Sequence, residues 1–262
     1  MKYCLSSRQS AEWLKKANQI KVEFRDRRII PDLVEDYPEA EIVLEFPLVR
    51  DDEFNWKENK DYEILAKGKL ICCVRSIEDI FQCIAQQIKK YFYGYPIATA
   101  YDLEAFANFG VCYFVLDAPL FFKMTFIKEK YGIPVRAAAN IAYRDALMRK
   151  DGVCGTWIRP EDVEKYEPYV DAIFFDSVEL DKERTLFHIY AENKNWPGDL
   201  KDLIINFNHD GVNRLILDNL GEMRLNCGQR CYEGKPCQAC YRALQLANVE
   251  TMTKVKETLL KK

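Results

Sequence analysis

Short apolar runs recur along the chain as far as Asp176, and most of them end in a polar or charged residue. The runs are rich in Val, Ile, Phe and Tyr and have the length of β-strands. The runs that we interpret as strands are residues 21–25, 41–47, 70–75, 97–102, 111–117, 134–140, 155–159 and 172–176.

Helical patterns separate several of these runs. Ser76 is a suitable N-cap for a helix that begins at Ile77, with Glu78 and Asp79 in its first turn. The apolar residues that fall on one face of this helix are Ile77, Ile80, Phe81, Ile84 and Ile88. Further helices are predicted at residues 103–109, 122–130 and 160–169.

Eight strands with helical connections predict an α/β protein with a parallel sheet. A (β/α)8 TIM-like barrel is the economical way to close that number of strands. The helical layer looks short between Arg27 and Ala40, so we expect an irregular barrel. An open doubly wound sheet is the alternative, but no G-x-G-x-x-G follows the first strand to support its dinucleotide-binding form.

The pattern changes after Asp176. Helices are predicted at residues 180–193, 200–206, 241–247 and 251–260, around a cysteine-rich stretch. No linker composition separates this part from the strands. We therefore divide the chain into a barrel at residues 1–178 and a C-terminal helical, cysteine-rich extension at residues 179–262, packed on the barrel.

The cysteine-rich stretch reads C-x3-C-x5-C-x2-C and contains Cys227, Cys231, Cys237 and Cys240. Four thiolates this close together can surround one metal ion or cluster. We favour a structural zinc ion, with a [4Fe–4S] cluster as the alternative, because thiolate ligands alone do not separate the two.

The amino-acid composition restricts the compartment and the partners that we expect for this protein. The chain carries ten cysteines, several of them in apolar runs where a reduced thiol behaves as a small hydrophobe. Neither a secretory signal nor an apolar run of membrane-spanning length is present, so we expect a soluble cytoplasmic protein without a membrane partner. The net charge of −3 provides no global attraction for nucleic acid, although a local basic patch leaves that partner open.

Charged residues of both signs end the predicted strands, where TIM-like barrels place their active sites. Such a ring is suited to a small anionic ligand, with Arg side chains binding it and Asp or Glu acting as acid or base. The alternative is a set of structural salt bridges. The strand-end residues are Arg25, Glu45, Arg75, Asp102, Asp117, Arg136, Asn140, Arg159 and Asp176.

Four of these residues are our catalytic candidates: Arg136, Asp117, Glu45 and Arg159. Arg136 lies inside an apolar strand, so we expect it to point into the barrel and to pair with Asp117 or Glu45. Arg159, together with Trp157, is expected to line the same pocket.

The stretch YPIATAYDLEAFANFGVCYFVLDAPLFFKMTFI, followed by YGIPVRAAAN, resembles the middle of the collagenase-like peptidase family. That family includes accessory proteins of ubiquinone and RNA hydroxylation. The resemblance implies a barrel of this type and a four-cysteine iron–sulfur site. The cysteine spacing differs from the family pattern, since all four cysteines here lie in one loop. Peptidase activity is not carried over, because no nucleophile or catalytic metal constellation is visible.

Two functions remain open from the sequence. The first is a metalloprotein with a four-cysteine centre that modifies a small molecule or nucleic acid at the mouth of the barrel. The second is a non-catalytic interaction or assembly protein, with a protein partner, in which zinc only stabilises the fold.

Overall fold

The computed structural model describes residues 1–47, 55–121, 123–140, 157–176 and 179–204, and the single positions 218, 225, 242, 257 and 260. The four clustered cysteines, Cys227, Cys231, Cys237 and Cys240, lie outside the described residues. Of the helices predicted at residues 241–247 and 251–260, the structure describes only positions 242, 257 and 260, all three helical.

Seven parallel strands form one curled sheet in the described part of the chain. They are β1 (Lys2–Ser6), β2 (Gln19–Glu23), β3 (Glu41–Glu45), β4 (Leu70–Val74), β5 (Tyr91–Tyr93), β6 (Arg136–Ala138) and β7 (Ala172–Phe174). Their order across the sheet is β5-β4-β3-β2-β1-β7-β6. The predicted α/β class and the parallel sheet are confirmed.

Residues 111–117 lie between the two outermost strands of this order, β5 and β6. On one side, the Asp117 amide donates to the Ile97 carbonyl at 2.8 Å, and the amide of Cys112 donates to the carbonyl of Tyr91 at 2.8 Å. On the other side, the Arg136 amide donates to the Phe114 carbonyl at 2.8 Å. Backbone hydrogen bonds therefore link this segment to the chain on both sides of the opening, which is compatible with a TIM-like barrel.

Helices connect most of the strands. They are α1 (Ala11–Leu14), α2 (Ile30–Asp36), α3 (Trp56–Leu65), α4 (Ile77–Ala85), α5 (Ala100–Asn108), α6 (Ala118–Phe121), α7 (Met124–Tyr131), α8 (Val163–Tyr166) and α9 (Leu180–Phe187). Short 3-10 turns cover Phe24–Ile29, Pro160–Asp162 and Leu200–Asp202, and a π-helical turn at His188–Asn193 continues α9.

The predicted start of α4 is confirmed. The Ser76 hydroxyl accepts from the Asp79 amide at 3.1 Å, and the Asp79 carboxylate accepts from the Ser76 amide at 3.1 Å. This reciprocal pair is a capping box, which satisfies two backbone donors at the helix start. The predicted apolar face is split, since Ile80 and Ile88 are buried whereas Ile77, Phe81 and Ile84 are exposed.

Several predictions about the strands and the helical layer were wrong. Residues 97–102 do not form a strand, because the Thr99 hydroxyl accepts from the Asp102 amide and caps α5. Residues 157–159, the described part of the predicted strand 155–159, have no strand conformation. β1 and β5 were not predicted. The helical layer between Arg27 and Ala40 is present, since Phe24–Ile29 and α2 fill it.

Alternation along the strands divides the apolar residues between two faces. In β3, Ile42 and Leu44 join the large core that also contains the helices, whereas Val43 faces the inside of the curled sheet. The smaller inner cluster contains Cys4, Val43, Ile71, Cys73, Phe92, Tyr113, Val115 and Ala172. The interior is thus packed with side chains rather than left as a pore.

A charged cluster lies at the amino-terminal end of the strands. The Glu41 carboxylate accepts from Lys2 Nζ at 2.8 Å, Lys90 Nζ at 3.1 Å and Gln19 Nε2 at 3.0 Å. Burial alone would raise the pKa of Glu41, but these hydrogen bonds outweigh burial and lower the pKa from 4.5 to about 2.

We expect Glu41 to contribute to acid stability. Because its pKa is depressed in the folded protein, its contribution is present above about pH 4.5 and is lost as the pH falls towards 2. Glu41→Gln should lower the free energy of unfolding at pH 7 by about 1–2 kcal/mol and flatten the pH dependence in that window. Urea unfolding at several pH values measures both effects. The exposed neighbour Glu39 provides the matched control, Glu39→Gln, and equal behaviour of the two variants would contradict the assignment.

Candidate ligand site at the strand ends

A cavity of about 170 Å³ opens at the carboxyl ends of the strands. Four of the predicted strand-end residues line it: Glu45, Arg75, Arg136 and Asp176. Glu45 is the last residue of β3, Arg75 follows β4 directly, and Asp176 lies two residues beyond β7. Because the sheet is parallel and curled, residues far apart in the chain meet at this end.

Arg136 points into the interior, as predicted, and is 2% exposed. Its Nη1 donates to Gln19 Oε1. Its guanidinium carbon lies 4.8 Å from the ring centroid of Phe174 and 5.4 Å from that of Phe92. These two aromatic rings attract the cation and restrict its orientation, since each presents the electron-rich face of its π system.

The predicted direct ion pair of Arg136 with Asp117 or Glu45 is not formed, although the negative charge of Glu45 attracts Arg136 at longer range. Among the described residues, no carboxylate lies within ion-pair distance of Arg136, and its hydrogen-bond partners include Gln19 of β2 and Cys4 of β1. The Gln19 amide nitrogen donates to Glu41 and to the Tyr113 hydroxyl, which turns its oxygen towards Arg136. Gln19 was missed because a lone glutamine carries no sequence signature of a site. Once the strands are known, the register that places Gln19 opposite Glu41 identifies it as an inward-pointing residue.

Arg75 is the second guanidinium of the cavity and is only loosely held. Its Nη2 lies 3.7 Å from Glu45 Oε1, and its Nη1 donates to the Gly94 carbonyl at 3.4 Å. Its guanidinium carbon lies 5.4 Å from the Tyr95 ring centroid. Its buried Nε has no hydrogen-bond partner among the described residues. Because the contacts of its terminal nitrogens are long, Arg75 keeps these donors for a ligand in the cavity.

Asp176 is held at the rim by Asn140. The Asn140 side chain donates to the Asp176 carbonyl at 3.1 Å and accepts from the Asp176 amide at 3.0 Å. Both contacts use the backbone of Asp176. Within the part of the chain that the structure describes, the Asp176 carboxylate itself forms no hydrogen bond or ion pair, so it is available at the cavity.

Lys21 adds a third cation near the cavity. Burial alone would lower its pKa, but the negative charges around it, Glu45 foremost, outweigh burial and raise the pKa. Burial raises the pKa of the Cys73 thiol, which lines the cavity, to about 12. Lys21 is therefore an ammonium ion and Cys73 a neutral thiol at neutral pH, and neither is a nucleophile there.

The remaining candidates lie elsewhere. Arg159 is buried and pairs with Asp162 at 2.5 Å and with Asp218 at 2.9 Å. Trp157 is buried in the large core, so the expectation that Trp157 and Arg159 share the cavity of Arg136 was wrong. Asp117 ends the segment between β5 and β6 and does not line the cavity. Catalytic roles for Asp117 and Arg159 stay predictions.

The two other strand-end residues are also away from the cavity. Arg25 is exposed and pairs with Glu23 at 2.8 Å. Asp102 belongs to the first turn of α5, where its amide is capped by Thr99. Neither residue lines the cavity.

Gly94 limits the wall of the cavity beside Arg75. A Cβ atom at this position would lie 2.5 Å from Cys73 Sγ and 2.8 Å from Arg75 Nη1. The first contact is with a buried side chain on β4, a strand paired on both sides, which has little freedom to move.

Gly94→Ala is expected to lower the free energy of unfolding by about 1–3 kcal/mol, as overpacking does. Cys73→Ala removes the atom in closest contact, so the double variant should recover part of the loss. A double-mutant cycle by chemical unfolding should give a favourable coupling above about 0.5 kcal/mol. Additive effects of the two substitutions would show that Gly94 and Cys73 do not constrain each other.

Comparison of the chain with known protein families and with curated protein sequences finds no match. Among the described residues, no group of three or more His, Cys, Asp or Glu side chains is placed to hold a metal ion. None of the helices in those residues has the length and hydrophobicity required to cross a membrane.

Proposed function

We propose that the chain forms a (β/α)8 TIM-like barrel, with residues 111–117 completing the ring between β5 and β6, and that it binds and modifies a small molecule at the mouth. The observation that carries the proposal is Arg136, a buried guanidinium that lines the cavity without a carboxylate partner among the described residues.

Burial of an unpaired charge is costly, so an arginine in this position calls for an explanation. The guanidinium has five N–H donors, of which Gln19 accepts one and the Cys4 side chain is a second partner. Donors that these two residues leave over are suited to a carboxylate or phosphate oxygen, which arginine binds in a planar, bidentate manner. Arg75 supports the same reading, because its only carboxylate contact is the distant one to Glu45.

The size of the cavity favours a small molecule over nucleic acid. An engineered cavity of about 150 Å³ in another protein holds one benzene molecule. The present cavity, at about 170 Å³, therefore suits a ligand of roughly six to ten non-hydrogen atoms. A nucleic-acid chain is too large to enter a cavity of this size.

Glu45 and Asp176 are the acid–base candidates in this proposal. Both line the cavity with Arg75 and Arg136, so a ligand bound to the guanidinium groups lies within their reach. A carboxylate beside a bound substrate can accept or return a proton during the reaction. Glu45 was among the residues chosen from the sequence, whereas Asp176 was noted only as a strand-end residue.

The four-cysteine centre remains part of the proposal. Zinc is favoured, and a [4Fe–4S] cluster is the alternative. A distant relation to the collagenase-like peptidase family is also part of the proposal. The described cysteines are free thiols, including Cys72 and Cys73 in β4. This favours a reducing compartment such as the cytoplasm, where clustered cysteines bind metal rather than form disulfides.

A non-catalytic interaction protein is the second candidate, and one surface favours it. On α4, Ile77, Phe81 and Ile84 are 45%, 54% and 47% exposed. Three large apolar side chains on one helix face are typical of a contact with another protein. Such a protein would have no need of a buried arginine that lines a cavity without a direct ion pair, and for that reason we place it second.

Binding of small carboxylates tests the leading proposal. Calorimetry with 4-methylpentanoate and benzoate should detect binding to the native chain. Arg136→Met should weaken it at least about tenfold, because a charge-assisted hydrogen bond contributes about 1.5–3 kcal/mol. Arg25→Met, which removes an exposed arginine, is the matched control and should leave affinity unchanged.

Arg75→Met is the second variant, in case Arg136→Met fails to fold, and melting curves establish the folding of each. Binding that is unaffected in both cavity variants would contradict the proposal. So would Arg136-dependent binding of a mixed-sequence single-stranded oligonucleotide without binding of either carboxylate.

Metal content tests the four-cysteine centre. Elemental analysis of anaerobically purified protein should find one zinc ion per chain, or iron with a brown colour for a cluster. Cys237→Ser should release the metal, because the remaining thiolates no longer complete a tetrahedral site. Cys83→Ser, at a buried cysteine of α4, is the control and should retain the metal if the variant folds. Full metal content in Cys237→Ser would overturn the assignment.

A further inference from the structure

The charges around the cavity indicate a class of ligand. We propose that it takes a small zwitterion of amino-acid type with an apolar side chain, bound with its carboxylate on Arg136 and its ammonium group facing Asp176 and Glu45. The inference rests on the proposed function, since it concerns the same cavity.

The charged groups lining the cavity balance. Arg75 and Arg136 contribute two positive charges, and Glu45 and Asp176 contribute two negative charges. A polyanion such as a diphosphate would therefore meet two carboxylates, and a diamine would meet two guanidinium groups. A ligand with one charge of each sign avoids both repulsions, because each of its charges finds an opposite partner.

Arg136 lies deeper than the two carboxylates, whereas Arg75 lies at the same level as Glu45. The depth of Arg136 gives the ligand a direction. The Arg136 guanidinium reaches Gln19, the first residue of β2, and is buried. Glu45 ends β3 and Asp176 lies beyond β7, both partly exposed. A carboxylate therefore enters first and an ammonium group stays at the rim.

Groups around the cavity do not disturb this balance. Lys21 interacts with Glu45, Asp176 and the buried Glu183 on α9, so the next layer again contains both signs. Arg75 lies at the rim between Glu45 and Tyr95, where Glu45 partly balances its positive charge.

The residues of the cavity wall indicate the shape and the hydrophobicity of the ligand. Phe92 and Phe174 cover the Arg136 guanidinium, so its free donors lie along its edge, which matches a planar carboxylate. Val115 and Pro96 add apolar surface. A side chain of leucine size, in a molecule of roughly nine non-hydrogen atoms, suits a cavity of about 170 Å³.

Three related compounds separate the contributions of the two charges. L-leucine carries both, 4-methylpentanoate lacks the ammonium group, and 3-methylbutylamine lacks the carboxylate. Calorimetry on the full chain should show leucine binding at least about tenfold more tightly than either of the others, since each loses one charge-assisted contact.

Variants then assign each charge to its partner. Asp176→Asn and Glu45→Gln, combined in one variant, should lower the affinity for leucine about tenfold. The affinity for 4-methylpentanoate should stay the same or rise. Asp61→Asn on α3 removes an exposed carboxylate and is the control. If Asp176 or Glu45 has only a structural role, its substitution should lower the affinity for both compounds alike. That result would overturn the assignment.

The outcomes distinguish this inference from the proposed function. If 4-methylpentanoate binds as tightly as leucine and Arg136→Met abolishes both, the zwitterion is wrong and the small-molecule site stands. If neither compound binds, and benzoate also fails, both are overturned. Leucine preference that disappears in Asp176→Asn supports the inference.

Discussion

A positive charge inside a curled sheet requires acceptors, and the polar interior of this protein follows from that requirement. Arg136 donates to Gln19, Gln19 donates to Glu41, and Glu41 also accepts from Lys2 and Lys90. The chain of contacts runs from the buried guanidinium to the amino-terminal end of the strands. Each group provides a hydrogen-bond partner for the next, because a buried polar group without a partner carries a desolvation penalty.

This arrangement also decides where space remains. Inward side chains fill the sheet between Glu41 and Arg136, and the inner cluster around Val43 and Phe92 packs the rest. Room is left beyond Arg136, where Gly94 has no side chain and the strands end in charged residues. The site and the stability of the interior therefore depend on the same few residues.

Much of the fold could be predicted from sequence, because parallel strands buried on both faces are continuous apolar runs. The failures have particular causes. β1 and β5 are too short or too mixed in character to stand out, and residues 97–102 look like a strand although Thr99 and Asp102 mark a helix start. The positions of Glu45, Arg75 and Asp176 could be predicted from strand ends, and the inward direction of Arg136, the first residue of β6, from its place inside an apolar run. The partnership of Arg136 with Gln19 could not, since it depends on register between strands far apart in the chain.

The first strand has a further consequence for how the protein is made. β1 has β2 on one side and β7 on the other, and the Tyr3 hydroxyl donates to the Tyr190 carbonyl, 187 residues along the chain. At ribosomal speeds of about 5–20 residues per second, that partner follows roughly 10–40 seconds later. During this interval β1 presents an open sheet edge, which is the kind of surface that pairs with other chains. Nascent chains of this protein are therefore expected to need protection until β7 and α9 emerge.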